Sequence, residues 1–341
     1  MSANTDAKTV LNRRQVLRIV AVGGAGAAIW KFGWPRGSDA RPVTESRVLM
    51  GTQVNLTVLG PDREAARAAV GATLDRMAEL ESRLTRYRDD SEVGLLNATG
   101  AVEGASDDLL SLLSLGRDLH ARSEGAFDMT VQPLVDLYRS TLAQHNRLPT
   151  DEEIAAARTR VGDDALRVDG RRVSFAKPGM ALTLDGIGKG YIVDHAVEEL
   201  KSHGFGNVLV EAGGDLVAAG AKAENRPWRL GIRRPRAAMS NMLRIDASDR
   251  AVATSGDYLQ PFTPDYTLHH ILDPRTGVSA PELASSTVVA PNAALADGLA
   301  TLTMVLGAER SVTMLAKMDG CEGCFIGKDL AITRTAGFRT V

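Results

Sequence analysis

A glycine-rich turn that joins an alternating apolar run to a helical pattern constrains this chain more than any other stretch. The turn lies within Leu182 to Asp194, which reads LTLDGIGKGYIVD. Apolar and polar residues alternate through Leu184 as in a half-buried strand, and helical periodicity begins after the glycines. Glycines let a backbone approach a ligand closely, and Lys189 at a helix N-terminus favours an anion such as phosphate. The spacing matches neither the dinucleotide fingerprint nor the P-loop, so an ordinary strand-to-helix turn stays open.

The pattern outside this turn predicts an α+β fold in one compact domain of two lobes. Alternation predicts a strand from Arg47 to Leu59, and three- and four-residue spacing predicts an amphipathic helix from Ala66 to about Tyr87. Thr150 with Glu153 predicts a capping box for a short helix, and Asp169-Gly170 predicts the turn of a hairpin. A later strand leads to a second glycine turn at Gly213-Gly214-Asp215. Strands and helices mix irregularly without a repeat or long linker, which is typical of α+β proteins. A chain of 341 residues with 44% hydrophobic content can bury the core of such a domain.

Residues 1–40 have the layout of a twin-arginine signal peptide, which leaves a mature domain over residues 41–341. Arg13 and Arg14 precede a weakly apolar run from Ile19 to Ile29. This run is shorter than the ~20 residues that a membrane span needs, so we expect no stable membrane span. The leader predicts a periplasmic protein; a disordered basic leader with a chance pair of arginines is the alternative.

The charge of the mature domain limits the classes of partner it can bind, and its two cysteines limit its redox and metal chemistry. A formal net charge of −2 without a basic stripe argues against nucleic acid and favours small molecules and proteins. Cys321 and Cys324 are the only cysteines, and in an oxidising compartment they can form a local disulfide. Two ligands are too few for a structural zinc site, and no thioredoxin-like context surrounds them. A structural or incidental pair is therefore favoured over a redox catalyst.

Two pairs of polar side chains are candidates for chemistry. Asp297 and Thr301 lie four residues apart in a helical pattern, so their oxygens share one helix face and suit Mg²⁺. A carbonyl of the glycine turn can complete that set, although an aspartate near a helix start is also commonly a cap. His270 and Asp273 precede a proline-initiated turn and are candidates for proton transfer. A histidine beside a turn is, equally, often structural.

Eight short motifs, taken together and in order, resemble the ApbE family of flavin transferases, which move FMN from FAD onto a hydroxyl of a target protein. The match covers essentially the whole mature chain. A twin-arginine leader without a lipobox cysteine is similar to the NosX subgroup, which is associated with nitrous oxide respiration and a membrane flavoprotein target. The motifs are Met50-Gly51-Thr52, the segment Ser91 to Asn97, GAFDMTVQPL, DGIGKGY, EAGGDL, ATSGDY, HHILDPRTG and ADGLAT.

This resemblance implies a Mg²⁺-dependent transferase whose substrates are FAD and a flavoprotein carrying an acceptor Ser or Thr. Asp297, Thr301 and the backbone carbonyl of Gly186 would hold Mg²⁺ against the pyrophosphate. His270 or Asp273 would assist deprotonation of the acceptor hydroxyl, which attacks the FMN phosphorus as AMP leaves. The residues implied to contact FAD are Met50, Tyr87, Ala126, Phe127, Asp128, Thr183, Lys189, Ser255, Gly256, Asp257 and His270.

The chain departs from the family pattern just before the glycine turn. Many members have Asp-Leu-Gly where this chain has Thr183-Leu184-Asp185. A shift of two residues along a strand keeps a side chain on the same face, so Asp185 is expected to replace the missing carboxylate in part. Two other functions stay open: a periplasmic FAD pyrophosphatase that transfers FMN to water, and a flavin carrier without enzymatic activity.

Overall fold

A computed structural model describes residues 42–222, 225–236 and 242–341. The predicted signal peptide lies outside these residues. Within them, helices and antiparallel strands mix, which confirms the predicted α+β class. The helices are α1 (Arg63–Leu84), α2 (Glu92–Thr99), α3 (Asp107–Arg122), α4 (Gln132–His145), α5 (Asp151–Arg158), α6 (Gly188–Ser202), α7 (Ala293–Leu306) and α8 (Ala308–Leu315).

An eight-stranded antiparallel sheet forms the centre of the domain. Its strand order is β1-β2-β6-β7-β10-β11-β12-β13, and two small antiparallel sheets have the orders β3-β5-β4 and β8-β9. The strands are β1 (Val43–Leu49), β2 (Thr52–Leu59), β3 (Ala101–Val102), β4 (Leu166–Asp169), β5 (Arg172–Phe175), β6 (Asn207–Ala212), β7 (Asp215–Ala219), β8 (Trp228–Arg233), β9 (Met242–Ala247), β10 (Arg250–Gly256), β11 (Leu283–Ala290), β12 (Glu322–Gly327) and β13 (Ile332–Arg334).

The two faces of the large sheet bury different hydrophobic clusters. On β10, Ala251 and Ala253 belong to the main cluster, which also contains the apolar faces of α1, α6 and α7. Val252, between them, belongs to a second cluster with Trp228 of the β8-β9 hairpin. Alternate residues of a strand point to opposite faces, so the sheet separates a helical layer from a small β layer.

A third hydrophobic cluster packs α4 and α5 against Leu272 and gives the domain its second lobe. Several sequence expectations are confirmed here and nearby. Thr150 and Glu153 form the predicted capping box of α5. Asp169 pairs with Arg172 across the predicted Asp-Gly hairpin between β4 and β5. Within the described ranges, every helix is too short or too polar to traverse a bilayer.

The predicted single strand from Arg47 to Leu59 is wrong, because the chain reverses in its middle. Leu49 pairs with Thr52, and the two residues between them, Met50 and Gly51, have φ of 52° and 67°. Positive φ at both central residues is the geometry of a two-residue hairpin whose twist matches its strands. The alternating pattern continues through the turn, which is why the sequence reads as one strand.

The run before the glycine turn is likewise not a strand. The side-chain amide of Asn97 takes the place of a neighbouring strand, donating to the carbonyl of Leu182 (2.9 Å) and accepting from its N–H (2.7 Å). Thr183 N–H donates to the carbonyl of Met129 (2.8 Å). Side-chain and loop groups therefore satisfy a backbone that otherwise has the alternation of a strand.

The two cysteines are buried and carry free thiols, so the local disulfide is absent. Cys321 belongs to the main cluster and Cys324 to the second cluster, on the other side of the sheet. The pair is accordingly part of the packing, as the sequence analysis favoured.

Candidate active-site cleft

A cleft opens between the main hydrophobic cluster and the third one, with a cavity volume of about 140 Å³. Phe127 and Ile271 of the main cluster line it, as do Val135 and Leu272 of the third. Residues far apart in the sequence meet there. The sequence-predicted residues on its wall are Ala126, Phe127, Asp128, Thr183, Gly186, Lys189, Ser255, His270, Asp297 and Thr301.

The metal candidates lie together on one wall. Asp297 and Thr301 project from successive turns of α7, and Gly186 lies directly against them. A Cβ built on Gly186 would come within 3.1 Å of Thr301 Oγ1 and 3.4 Å of the Phe127 ring, so a side chain there would crowd both. Thr301 Oγ1 also lies 3.3 Å from Ser255 Oγ. The glycine therefore suits the close approach between the turn and α7.

The helix N-terminus predicted to attract phosphate holds a carboxylate of the protein itself. Asp297 is 2% exposed, and its Oδ2 accepts a hydrogen bond from the N–H of Gly190 in the first turn of α6 (3.1 Å). Gly190 also serves packing, because a Cβ on it would lie 2.1 Å from the carbonyl oxygen of Ala293. The glycines of this turn were predicted to let a ligand approach the backbone. In the structure, the missing side chain of Gly190 instead permits close contact between two helices.

Lys189 is shared by two buried carboxylates. Its Nζ lies 2.8 Å from Asp215 Oδ2 and 3.6 Å from Asp297 Oδ1. Burial lowers the pKa of Lys189, but the attraction of Asp215 and Asp297 outweighs burial and leaves the pKa raised. Burial, followed by repulsion from Asp215, raises the pKa of Asp297, and Lys189 offsets this only in part. One ammonium therefore compensates two carboxylates.

This donor set fits Mg²⁺. Asp215 Oδ2 is buried and, despite its ion pair with Lys189, has no well-directed hydrogen bond among the described residues. An added cation would relieve the excess negative charge, and a carboxylate, a hydroxyl and a carbonyl oxygen are donors that Mg²⁺ prefers. The described residues contain no cluster of three or more acidic, histidine or cysteine side chains disposed to hold a metal. The candidate set stays the predicted one, Asp297 with Thr301 and Gly186.

The two candidate bases occupy different environments. His270 lies on the cleft wall, and its buried Nδ1 has no hydrogen-bond partner among the described residues. Burial, and then the nearby His269 and Arg139, lowers the pKa of His270 to about 3. Asp273 is not among the lining residues, and both of its oxygens bind the guanidinium of Arg275 at 2.8 and 2.7 Å. Of the two candidates, only His270 lines the cleft.

Met50 and Tyr87 lie near the cleft without lining it. Met50 is in the β1-β2 turn, beside Thr52, whose side chain packs against the cleft residue Gly213. Tyr87 follows α1, and it is 69% exposed with its ring 4.1 Å from the guanidinium carbon of Arg86. Their contact with FAD stays a prediction.

Gly256 and Asp257 lie behind the wall that Ser255 contributes. Asp257 is fully buried, and its carboxylate binds Arg236 at 2.7 and 3.2 Å. A Cβ on Gly256 would meet the ring of Tyr258 at 2.5 Å. Neither residue is among those that line the cleft, and their contact with FAD stays a prediction.

Asp185, at the departure from the family pattern, lines the cleft but is engaged with Arg86. Its Oδ2 lies 3.2 Å from Arg86 Nε, and its N–H donates to Thr183 Oγ1 (3.1 Å). The carboxylate is half exposed, whereas Arg86 is nearly buried between Asp185 and Tyr87. The suggestion that Asp185 partly replaces the missing carboxylate stays a prediction.

Two aspartates that bind other residues of this wall were not predicted as site residues. Asp215 pairs with Lys189, and Asp194 binds the N-terminus of α7. Asp215 directly follows the second strand-end glycine turn, which was its one sequence signal. Asp194 has the helical spacing of an ordinary surface residue, so its sequence context gave no signal of a role in the site.

Comparison with known proteins identifies the class of this fold and cleft. Residues 50–325 match the model of the ApbE family. A protein from Vibrio cholerae serotype O1, named FAD:protein FMN transferase, is 34% identical over 282 residues, covering 81% of this chain and 84% of that protein. A Klebsiella pneumoniae protein of the same name is 33% identical over 291 residues, covering 80% and 82%.

Solved structures agree. The flavin transferase ApbE from Vibrio cholerae superposes with a TM-score of 0.76 at 32% identity, covering 88% of this chain and 98% of that one. The apo flavinyl transferase ApbE of Pseudomonas stutzeri gives a TM-score of 0.73 at 32% identity, covering 87% and 94%. Fold, cleft and relatives together define an enzyme of the transferase class. The chain belongs to the ApbE family.

Proposed function

We propose that this protein is a Mg²⁺-dependent FAD:protein FMN transferase that attaches FMN to a Ser or Thr hydroxyl of a flavoprotein and releases AMP. The observation that carries the proposal is that a lysine, a buried carboxylate, a half-buried hydroxyl and a neutral histidine all line one cleft. Lys189, Asp297 and Thr301 lie on its wall with His270. The names of the relatives from Vibrio cholerae and Klebsiella pneumoniae support the same activity.

The residues of the cleft divide the chemistry between binding and proton transfer. Asp297, Thr301 and the carbonyl of Gly186 would hold Mg²⁺, which when bound supplies positive charge to the pyrophosphate oxygens. Lys189 adds a fixed cation at the same wall, so the bound pyrophosphate is oriented by this chain's own charge. These residues bind and orient, and they take no proton.

Proton transfer falls to His270. The acceptor hydroxyl oxygen forms a bond to the FMN phosphorus, the bond from that phosphorus to the AMP oxygen breaks, and its electron pair leaves with AMP. The hydroxyl proton passes to the neutral imidazole of His270. An imidazole with a pKa of about 3 is unprotonated at neutral pH, and the negative charge of a bound pyrophosphate raises that pKa towards a useful range.

The test incubates the full chain with FAD, MgCl₂ and a candidate acceptor domain, followed by intact-protein mass spectrometry. We expect the acceptor to gain one FMN, AMP to be released, and both to be lost in Asp297→Asn. Asp75→Asn, which changes an exposed carboxylate on α1, is the matched control and should retain activity. Free FMN without an adduct would instead identify a pyrophosphatase, and FAD that stays intact would identify a carrier.

We also propose that the protein works in the periplasm on a membrane-bound acceptor, as a NosX-like member of its family. The support is in the sequence: a twin-arginine pair, a short apolar run and no lipobox cysteine within residues 1–40. A flavoprotein of nitrous oxide respiration is the acceptor to try first. Absence of its covalent flavin in a strain lacking this protein, restored by the full chain, is the expected result.

A further inference from the structure

One residue pair on each helix lies where the N-terminal turns of α6 and α7 contact each other. Gly190 and Asp194 are four residues apart on α6, and Ala293 and Asp297 are four residues apart on α7. Residues at this spacing lie on one face of a helix. Each contact face therefore combines a first-turn backbone N–H with a carboxylate one turn further along.

The two helices exchange these carboxylates. Asp297 of α7 accepts from the N–H of Gly190 at the start of α6 (3.1 Å). Asp194 of α6 accepts from the first two N–H groups of α7, Ala293 to Oδ1 (2.7 Å) and Ala294 to Oδ2 (2.8 Å). Each carboxylate meets unpaired N–H groups and the positive end of the other helix's dipole. The absence of a side chain on Gly190 permits the close approach.

From this reciprocal contact we infer that Asp194 is a positioning residue of the active site. By holding the first turn of α7 against α6, it fixes Asp297 and Thr301 of α7 relative to Lys189 of α6. Asp194 is not among the residues that line the cleft, so it acts only through the helix. Its two short hydrogen bonds set where α7 begins, one turn before Asp297.

A second cap on the same helix end provides the matched control. Asn292 accepts from Leu295 N–H (2.9 Å), a contact made wholly within α7 and its cap. Asp194→Asn keeps one acceptor oxygen but loses the charge and one of the two bonds to α7, and Asn292→Ala loses its bond to Leu295 N–H, so both should lower the melting temperature by roughly 2–4 °C. Only Asp194→Asn weakens the tie between the helices. Asp194→Ala, which keeps no acceptor, is a stronger second variant.

The first readout needs no metal. The N–H of Gly190 lies in the first turn of α6 and has no carbonyl partner within that helix, so its protection from hydrogen exchange comes from Asp297. We expect Asp194→Asn to speed exchange at Gly190 by about tenfold relative to amides in the middle of α6. Asn292→Ala should leave Gly190 protected. Equal protection in wild type and in both Asp194 variants overturns the inference.

The second readout rests on the proposed function, because it titrates Mg²⁺ into the full chain with FAD by calorimetry. We expect affinity to fall about tenfold in Asp194→Asn and to stay within about threefold in Asn292→Ala, since loss of a group that orients metal ligands typically costs 10–100-fold in metal affinity. Equal affinities in wild type and Asp194→Asn overturn the inference while the proposed function stands. A wild type that binds no Mg²⁺ overturns the metal part of the proposed function, and the exchange at Gly190 then decides the inference alone.

Discussion

At the scale of single residues, the charge balance around Lys189 dominates the cleft. The ammonium lies between Asp215 and Asp297, both almost fully buried. Breaking a buried ion pair by removing one partner typically costs about 3–5 kcal/mol, because the remaining charge is left uncompensated. This wall is accordingly stable only while a cation faces the two aspartates.

Lys189→Met should expose that dependence. We expect the variant to lose about 3 kcal/mol of unfolding free energy without added metal, because two buried carboxylates then repel each other. MgCl₂ should stabilise the variant more than it stabilises wild type, since the ion takes over part of the lysine's charge. Urea unfolding with and without MgCl₂ measures both effects, and an equal response of the two proteins would contradict the charge argument.

His270 and Asp273 can be separated by activity. His270→Gln should lower the rate of FMN transfer by about 10²–10³-fold, the usual contribution of a general base. Asp273→Asn should change it by less than about threefold, because that carboxylate binds Arg275 and lies off the cleft wall. Mass spectrometry of the acceptor over time gives both rates. The reverse order of effects would assign the base to Asp273.

The lowered pKa of His270 also makes a prediction about stability. Unfolded, this imidazole gains a proton below its ordinary pKa of 6.5, whereas folded it does so only near pH 3. The folded state therefore binds fewer protons, and stability from His270 is present above pH 6.5 and is lost as pH falls. The unfolding free energy of wild type minus that of His270→Gln should drop by about 1.4 kcal/mol per pH unit from pH 5.5 to 4. A difference that is constant with pH would show that the imidazole is not held neutral.

At the scale of elements, the contact of α6 with α7 decides the geometry of the site. A Cβ on Gly190 would lie 2.1 Å from a backbone oxygen of Ala293, and a backbone cannot move aside cheaply. Gly190→Ala should therefore destabilise the protein by more than about 3 kcal/mol, through overpacking and loss of the Asp297 contact. Calorimetry of thermal unfolding measures the change.

Gly71 in α1 is the matched control for that substitution. It is also inside a helix, but a Cβ built on it has nothing within 4 Å. Gly71→Ala should stabilise by up to about 1 kcal/mol, because alanine is the better helix former. Opposite signs for the two glycines are expected, and a loss of stability at Gly71 as large as at Gly190 would contradict the packing explanation.

The elements themselves were largely predictable, and the errors have one cause. The helical spacing from Ala66 to Leu84 and the capping box at Thr150 are local signals, and both are confirmed. Alternation of apolar and polar residues is also a local signal, but it does not determine where a strand ends or which group its backbone hydrogen-bonds with. Met50-Gly51 reverses the chain without breaking the alternation, and Leu182 bonds to a side chain in place of a strand.

At the scale of the whole molecule, the sequence predicted the residues whose chemical type indicates a role in the site. It did not predict residues whose role depends on contact between two distant elements. Lys189, Asp297 and Thr301 meet on one wall as their types and spacing suggested. Asp194 acts only because α6 lies against α7, and nothing local to it indicates that contact. Asp257 was implied to contact FAD, and in the structure its carboxylate binds Arg236 and does not line the described cavity.

Export is the last property of the whole molecule that the sequence predicts, and it decides where the cleft meets its acceptor. Arg13→Lys with Arg14→Lys keeps the charge of the leader but removes both guanidinium groups that the twin-arginine receptor reads. We expect this double variant to stay in the cytoplasm, folded and able to bind FAD, while Arg18→Lys, in the same leader, is exported normally. Cell fractionation with immunoblotting measures the distribution. Because the twin-arginine route carries folded proteins, a retained variant that is also unfolded would point to a folding defect, and normal export of the double variant would show that this pair is not an export signal.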